Sequence, residues 1–281
     1  NCYRAAKDVG DRWDYSPTHM DAAVCCAPNS GKIMPYHLSG MWMQDEEGGL
    51  CALYYGPCLL QTKCGGRAVE IEQRTRYPFE KRAEFRIRAD GSFRQNLSFR
   101  IPYWCSDARL LLNGGEVPAR MVKRGGGRAL QLEREFQNGD RLELILPSRP
   151  RLLTAVDGTK AVADGPLLFS LNISEVGDDY FHYEKAPFCD TNYTPAEGEN
   201  WEYTLFYDSR RPEEYLREKR YDANGFEWEN PPVTLQVQML SAWAVPEWVE
   251  LVPIGCTTLR RTSFPAVDRA AAPRNDAVAG R

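Results

Sequence analysis

The stretch ALQLEREFQNGDRLELILP, residues 129–147, limits the fold more than any other part of this 281-residue chain. Leu130, Leu132 and Phe136 alternate with polar residues ahead of Asn138-Gly139-Asp140, and Leu142, Leu144 and Leu146 alternate after it. A period of two places apolar side chains on one face of a strand, which the helical period of about 3.6 cannot do. Asn-Gly between two such runs is the strongest short hairpin signal, because a type I′ turn needs φ > 0 at both central residues. The two runs are therefore expected to pair as an antiparallel hairpin with one wet face.

The same alternation recurs in AVEIEQ (68–73), AEFRIRA (83–89), FRQNLSFRIP (93–102) and ARLLLNG (108–114), with turns at Asp90-Gly91 and Asn113-Gly114. Strands spaced about ten residues apart predict a β-sandwich. A second β region follows LPSRPRLL and carries KAVADGPLLFSLNI (160–173), WEYTLFYD (201–208) and VTLQVQML (233–240). Within it the acidic and aromatic stretch 175–200 reads as a loop, and PEEYLREKR (212–220) as a short helix. The final DRAAAPRNDAVAGR (268–281) has little to bury and is expected to fray.

Composition excludes several classes. At 43% hydrophobic and 26% charged the chain is globular, and no apolar run approaches the roughly 20 residues that span a bilayer. Its 35 Lys and Arg are scattered among 39 Asp and Glu, a net charge of −4. No basic footprint for nucleic acid results, and a neutral or weakly polar ligand is expected. Nine cysteines without dense, regular spacing point to reduced thiols and a cytoplasmic rather than secreted protein. Sequons at Asn96, Asn172 and Asn192 would matter only on a secretory route. The opening NCYRAAKDVGDRW has no signal-peptide pattern, and its start on Asn1 reads as part of a longer or processed protein.

The first fifty residues differ. A helix is predicted through GKIMPYHLSGMWMQ, capped by Asn29 or Ser30, with Ile33, Tyr36 or His37, Gly40 and Met41 at helical spacing. Pro35 falls near its first turn or kinks it slightly later, and Glu46-Glu47-Gly48-Gly49 stops it. One helix cannot enclose a core, so this segment is expected to pack against the β module. Just ahead lies DAAVCCAPNSGK, with Cys25 and Cys26 adjacent. Three readings of the pair stay open: two small buried hydrophobes, a strained vicinal disulfide, or two thiolate ligands of one zinc.

A resemblance bears on that choice. YSPTHMDAAVCCAPNSGKIMPYHLSGMWM, GGLCALYYGPC, VEIEQRTRYPFE, LSFRIPYWC, NGGEVP, FQNGDRLEL, ADGPLLFSL and LVPIGCTTLRRTSFP, in this order, resemble glycoside hydrolase family 127, typified by β-L-arabinofuranosidases. The resemblance covers roughly residues 13–265 and implies a mainly β chain. Residues 1–52 would be the C-terminal end of an (α/α)6 catalytic barrel. Two β-sandwich, jelly-roll-like domains would follow at 53–150 and 151–267, with a tail at 268–281.

It also implies a mechanism, retaining hydrolysis in which a zinc-bound cysteine thiolate attacks the anomeric carbon and a glutamate acts as acid and then base. By position in the CC motif, Cys25 resembles the nucleophile and Cys26 a second zinc ligand. Zinc would keep a thiol deprotonated at neutral pH, and the thiolate would replace the carboxylate of ordinary retaining enzymes. The family's Glu-x-Cys ligand motif, catalytic glutamate and sugar-binding histidines lie upstream, and no Glu-x-Cys occurs in these residues. The chain alone is therefore expected to be inactive. The partner implied is an arabinose-containing oligosaccharide or glycoconjugate, with neither nucleic acid nor membrane, and with a homodimer open. A non-catalytic β-sandwich module for carbohydrate binding or assembly is the alternative.

Other residues admit two uses. His19 faces the sugar, substitutes as a ligand, or is satisfied by backbone. Asn29 reads as a cap, and His37 and His182 as structural. Trp42, Trp104, Trp201 and Trp243 read as packing before sugar platforms, and 177–190 as a solvated loop.

Overall fold

The computed structural model describes residues 26–124, 126–182, 189–211, 214–222 and 228–271. They fall into two units, the first holding 26–77, 82–103 and 108–145, the second 78–81, 104–107 and 146–271. No helix among the described residues is long and apolar enough to cross a membrane.

In the first unit, α1 (Cys26–Ser39) precedes eleven strands. These are β1 (Trp42–Gln44), β2 (Leu50–Ala52), β3 (Cys58–Cys64), β4 (Arg67–Arg74), β5 (Arg82–Ala89), β6 (Phe93–Ile101), β7 (Arg109–Leu112), β8 (Gly115–Glu116), β9 (Arg120–Arg124), β10 (Gly127–Phe136) and β11 (Arg141–Ile145). Among the described residues they form two sheets, β1-β2-β6-β10-β9 and β3-β4-β5-β11-β7-β8. Alternate residues of each sheet are buried: Leu97, Phe99, Leu130 and Leu132 from one, Ile71, Phe85, Ile87, Leu142 and Leu144 from the other. Phe85 and Phe99 bring the two sheets together, with ring centroids 4.9 Å apart. Each runs close to the expected alternation, which is why these strands form.

The expected hairpin at 129–147 does not form. β10 pairs with β6 and β9, while β11 pairs with β5 and β7, so the connection passes from one sheet to the other. The turn chemistry explains it. Gly139 has φ 93° but Asn138 is not in the left-handed region, and Asp140 N–H closes the turn on Gln137 O at 3.2 Å. One positive φ, at the third position, is a type II turn, whose twist splays hairpin strands instead of aligning them. The turn backbone bonds to β5, with Ile87 N–H to Asp140 O and Gly139 N–H to Ile87 O, both 2.9 Å. Asn113-Gly114 has φ 50° and 87°, the type I′ pattern, and β7 and β8 pair directly across it at Leu112↔Gly115.

Two further expectations about the first unit are corrected. Asn29 and Ser30 lie inside the helix over Cys26–Ser39, so neither caps it, and Pro35 lies beyond the first turn, the later of its two expected places. Residues 31–39 are all exposed, so over these residues the helix does not bury a face on the β module.

The second unit holds β12 (Arg151–Thr154), β13 (Lys160–Asp164), β14 (Leu167–Ile173), β15 (Glu175–His182), β16 (Cys189–Pro195), β17 (Thr204–Tyr207), β18 (Leu216–Arg220), β19 (Val233–Leu240), β20 (Pro246–Pro253), β21 (Leu259–Arg261), β22 (Ser263–Phe264) and β23 (Ala266–Asp268). All but β15 and β16 are linked into one sheet around a shared core that includes Phe169, Leu205, Leu235, Met239, Leu251 and Phe264. Within this unit Lys81 Nζ meets Asp164 Oδ2 at 2.6 Å, and Ser148 donates to Asp164 Oδ1 at 2.7 Å. A turn at Arg269–Ala271 follows β23, and the rest of 268–281 lies outside the described residues.

Two sequence expectations fail here. The stretch read as a loop contains the antiparallel pair β15–β16, from Glu175↔Pro195 to His182↔Cys189. Neither of its faces is deeply buried, since Val176, Tyr180 and Tyr193 are all exposed, so it carries no apolar alternation to read. The stretch read as a helix ends in β18, which pairs residue for residue with Val233–Val237 of β19. Nine residues of good helix formers are too few to hold a helix alone, about 12–15 being marginal. Burying Tyr215 and Leu216 in the core decides the conformation instead.

Candidate functional site

Of the double cysteine, only Cys26 is among the described residues, and its backbone lies in α1. Cys25 and His19 lie outside the described residues, and Cys26 is described by its backbone.

What positions this helix is legible at its other end. The Ser39 hydroxyl and the Gly40 N–H both donate to Tyr36 O at 3.0 Å. Leu53 N–H then donates to Met41 O at 2.9 Å, and Met41 is buried. A side chain at Gly40 would stand 3.3 Å from Tyr54 Cε2 and 3.2 Å from Tyr36 O, so glycine allows Tyr54 to close on the helix. His37 stacks on Tyr54 with centroids 4.8 Å apart.

Tyr54 is in turn fixed to the sheets. The Arg100 guanidinium lies 5.7 Å from its ring and donates to Leu53 O at 2.6 Å. Gln73, fully buried, donates to Tyr54 O at 3.1 Å and to Gly56 O at 2.7 Å. The sequence reading of His37 as structural agrees with this arrangement, but the sequence did not single out Tyr54, Arg100 or Gln73. Gln73 among the apolar positions of VEIEQ was the one available sign.

Three described thiols outside the motif, Cys58, Cys64 and Cys256, are unsuited to nucleophilic work. Burial pushes Cys58 and Cys64 above the ordinary thiol range, against weaker opposing hydrogen bonds from Trp42 and Gln95. Burial alone lifts Cys256 to about 11. Thiols in that range stay protonated at neutral pH and neither attack nor ligate readily. Cys189 is exposed at the end of β16, opposite His182. Thr191 first, and Cys189 second, hold Asp179 below the usual carboxylate range by hydrogen bonding. Among the described residues no group of three or more His, Cys, Asp or Glu is arranged to hold a metal ion. The chemistry of two adjacent thiols fits zinc, but a tetrahedral site needs further ligands.

Of the tryptophans, Trp201 is 37% and Trp243 is 87% exposed, so Trp243 is not packing in the described chain. Trp42 meets Phe85 edge-on at 5.9 Å, a packing role.

The described chain is mainly β. Residues 49–148 match the β-L-arabinofuranosidase GH127 middle domain, and the resemblance to family 127 holds. No curated protein matches the chain. In fold it is similar to a GH127 β-L-arabinofuranosidase from Geobacillus stearothermophilus T6, at 20% identity and TM-score 0.61 over 86% of this chain and 37% of that one. A structure described as a glycoside hydrolase gives 19%, 0.59, 86% and 39%, and a GH127 β-arabinofuranosidase gives 18%, 0.58, 86% and 38%. The chain thus spans less than two fifths of the length of these structures.

Proposed function

We propose that this chain is the C-terminal part of a retaining glycoside hydrolase that releases terminal β-L-arabinofuranose, or a related sugar, from an oligosaccharide or glycoconjugate. The observation that carries the reading is the family 127 middle-domain match at 49–148, supported by the likeness in fold over 86% of the chain. Cys25 is the nucleophile. Its sulfur forms a bond to the anomeric carbon as the glycosidic C–O bond breaks, and the departing oxygen takes a proton from a glutamate of the complete protein. Water, giving its proton back to that glutamate, then cleaves the carbon–sulfur bond, which regenerates the thiolate and retains the anomeric configuration. Zinc, when bound, would hold the thiols deprotonated at neutral pH. Cys25 and Cys26 would be its thiolate ligands, with the remaining ligands supplied by other residues of the complete protein. The 281-residue chain by itself is inactive.

The reading is tested by metal analysis after dialysis of the complete protein, of its Cys26→Ser variant and of the 281-residue chain. The complete protein is expected to retain one zinc, and the other two to retain far less. Stoichiometric zinc in Cys26→Ser would overturn the ligand assignment.

A further inference from the structure

The outward face of β18, β19 and β20 carries side chains that the core does not explain. Val233, Leu235, Val237 and Met239 of β19 are buried, and the alternate residues Gln236 and Gln238 point the other way. Register sets Arg217 opposite Gln236, and Trp248 opposite Gln238. The Arg217 guanidinium carbon lies 3.9 Å from the centroid of the Trp248 ring, and Arg217 is exposed.

Arg217 differs from the strand arginines that face glutamates. Arg74, Arg86, Arg94, Arg141 and Arg220 each contact a glutamate, whereas among the described residues Arg217 has no carboxylate partner. Glu250, opposite Gln236 on this face, accepts from Thr234 at 2.6 Å and from Tyr221 at 2.8 Å. Arg217 is held by an aromatic face and, among the described residues, has no carboxylate on its N–H fork, the geometry that takes a carboxylate in two parallel hydrogen bonds. The neighbouring glutamine amides both donate and accept, which suits sugar hydroxyls. A protein-docking patch would instead be apolar at its centre.

We propose that this face binds an acidic saccharide, with a uronate carboxylate on Arg217 and ring hydroxyls on Gln236 and Gln238. The site is independent of the catalytic reading and needs neither Cys25 nor zinc. Titration calorimetry of the complete protein with trigalacturonate, maltotriose and pentaglutamate tests it, alongside Arg217→Gln and Trp248→Ala. Arg217→Gln removes an exposed charge and is expected to leave the melting temperature unchanged. Trigalacturonate is expected to bind, maltotriose and pentaglutamate not, and Arg217→Gln to weaken binding at least about tenfold. Trp248→Ala is expected to weaken it as well, by releasing the guanidinium. No binding of trigalacturonate, equal binding of maltotriose or pentaglutamate, or undiminished binding by Arg217→Gln would each overturn the proposal.

Discussion

The side-chain amide of Asn113 donates to Asp140 Oδ1 at 2.8 Å, so the two Asn-Gly turns of the first unit are joined through side chains. The other Asp140 oxygen accepts Gln137 N–H at 2.9 Å, and Arg141 N–H donates to Asn113 Oδ1 at 2.9 Å. Asp140 is 8% exposed, so its two donors have little access to water if it is removed.

Asp140→Ala is expected to destabilise the first unit by about 2–3 kcal/mol, because two donors are left unpaired. Combined with Asn113→Ala, the loss should fall short of the sum by at least about 0.5 kcal/mol, the mark of a direct interaction. Urea unfolding of the two single variants and the double variant measures this, and strict additivity would refute it.

These turns show how far the sequence carries. The strands of the first unit were legible because each buries one face, and alternation records that directly. Which strands pair was not legible at 138–139, because Asn-Gly is compatible with a type II turn as well as a type I′ turn, and contacts to Ile87 choose between them. β18 was hidden by Glu218, Lys219 and Arg220, whose helical preference yields to pairing with β19. β15–β16 was hidden because neither face is buried. At the site, spacing left the double cysteine open, and the resemblance gave Cys25 and Cys26 their roles.

Ala244 adopts φ 57° in the turn between β19 and β20, where its N–H donates to Ser241 O at 2.9 Å. A Cβ in the left-handed region costs about 1–2 kcal/mol, partly offset by the greater unfolded-state freedom of glycine. Ala244→Gly is expected to stabilise the second unit by about 0.5–1 kcal/mol, read as a rise in melting temperature. A fall would contradict the assigned backbone conformation.

Lys81 is the counter-charge of Asp164, whose side chain is 2% exposed. Lys81→Met leaves that carboxylate buried with only Ser148 bonded to it, and is expected to cost about 3–5 kcal/mol. Adding Asp164→Asn removes the orphaned charge and should restore part of the loss. If the double variant is as unstable as Lys81→Met, packing rather than charge sets the effect.

Glu250 titrates below the usual carboxylate range. Burial pushes it up, but the hydrogen bonds from Thr234 and Tyr221, with the charge of Lys219, outweigh that. A depressed native pKa contributes stability that is fully present above the unfolded value and is lost as pH falls through the native one. Thr234→Val should therefore raise the Glu250 pKa and shrink the stability lost on acidification. Carboxyl NMR titration of the two proteins reads the shift directly, and an unchanged or lower pKa would contradict it.

The central claim is that Cys25 attacks the sugar. It is tested most directly by comparing hydrolysis of an aryl β-L-arabinofuranoside by the complete protein and by its Cys25→Ser variant. The complete protein should turn the substrate over, with kcat at least about a thousandfold lower in the variant, as expected when a nucleophile is removed. Full activity of Cys25→Ser would contradict the account.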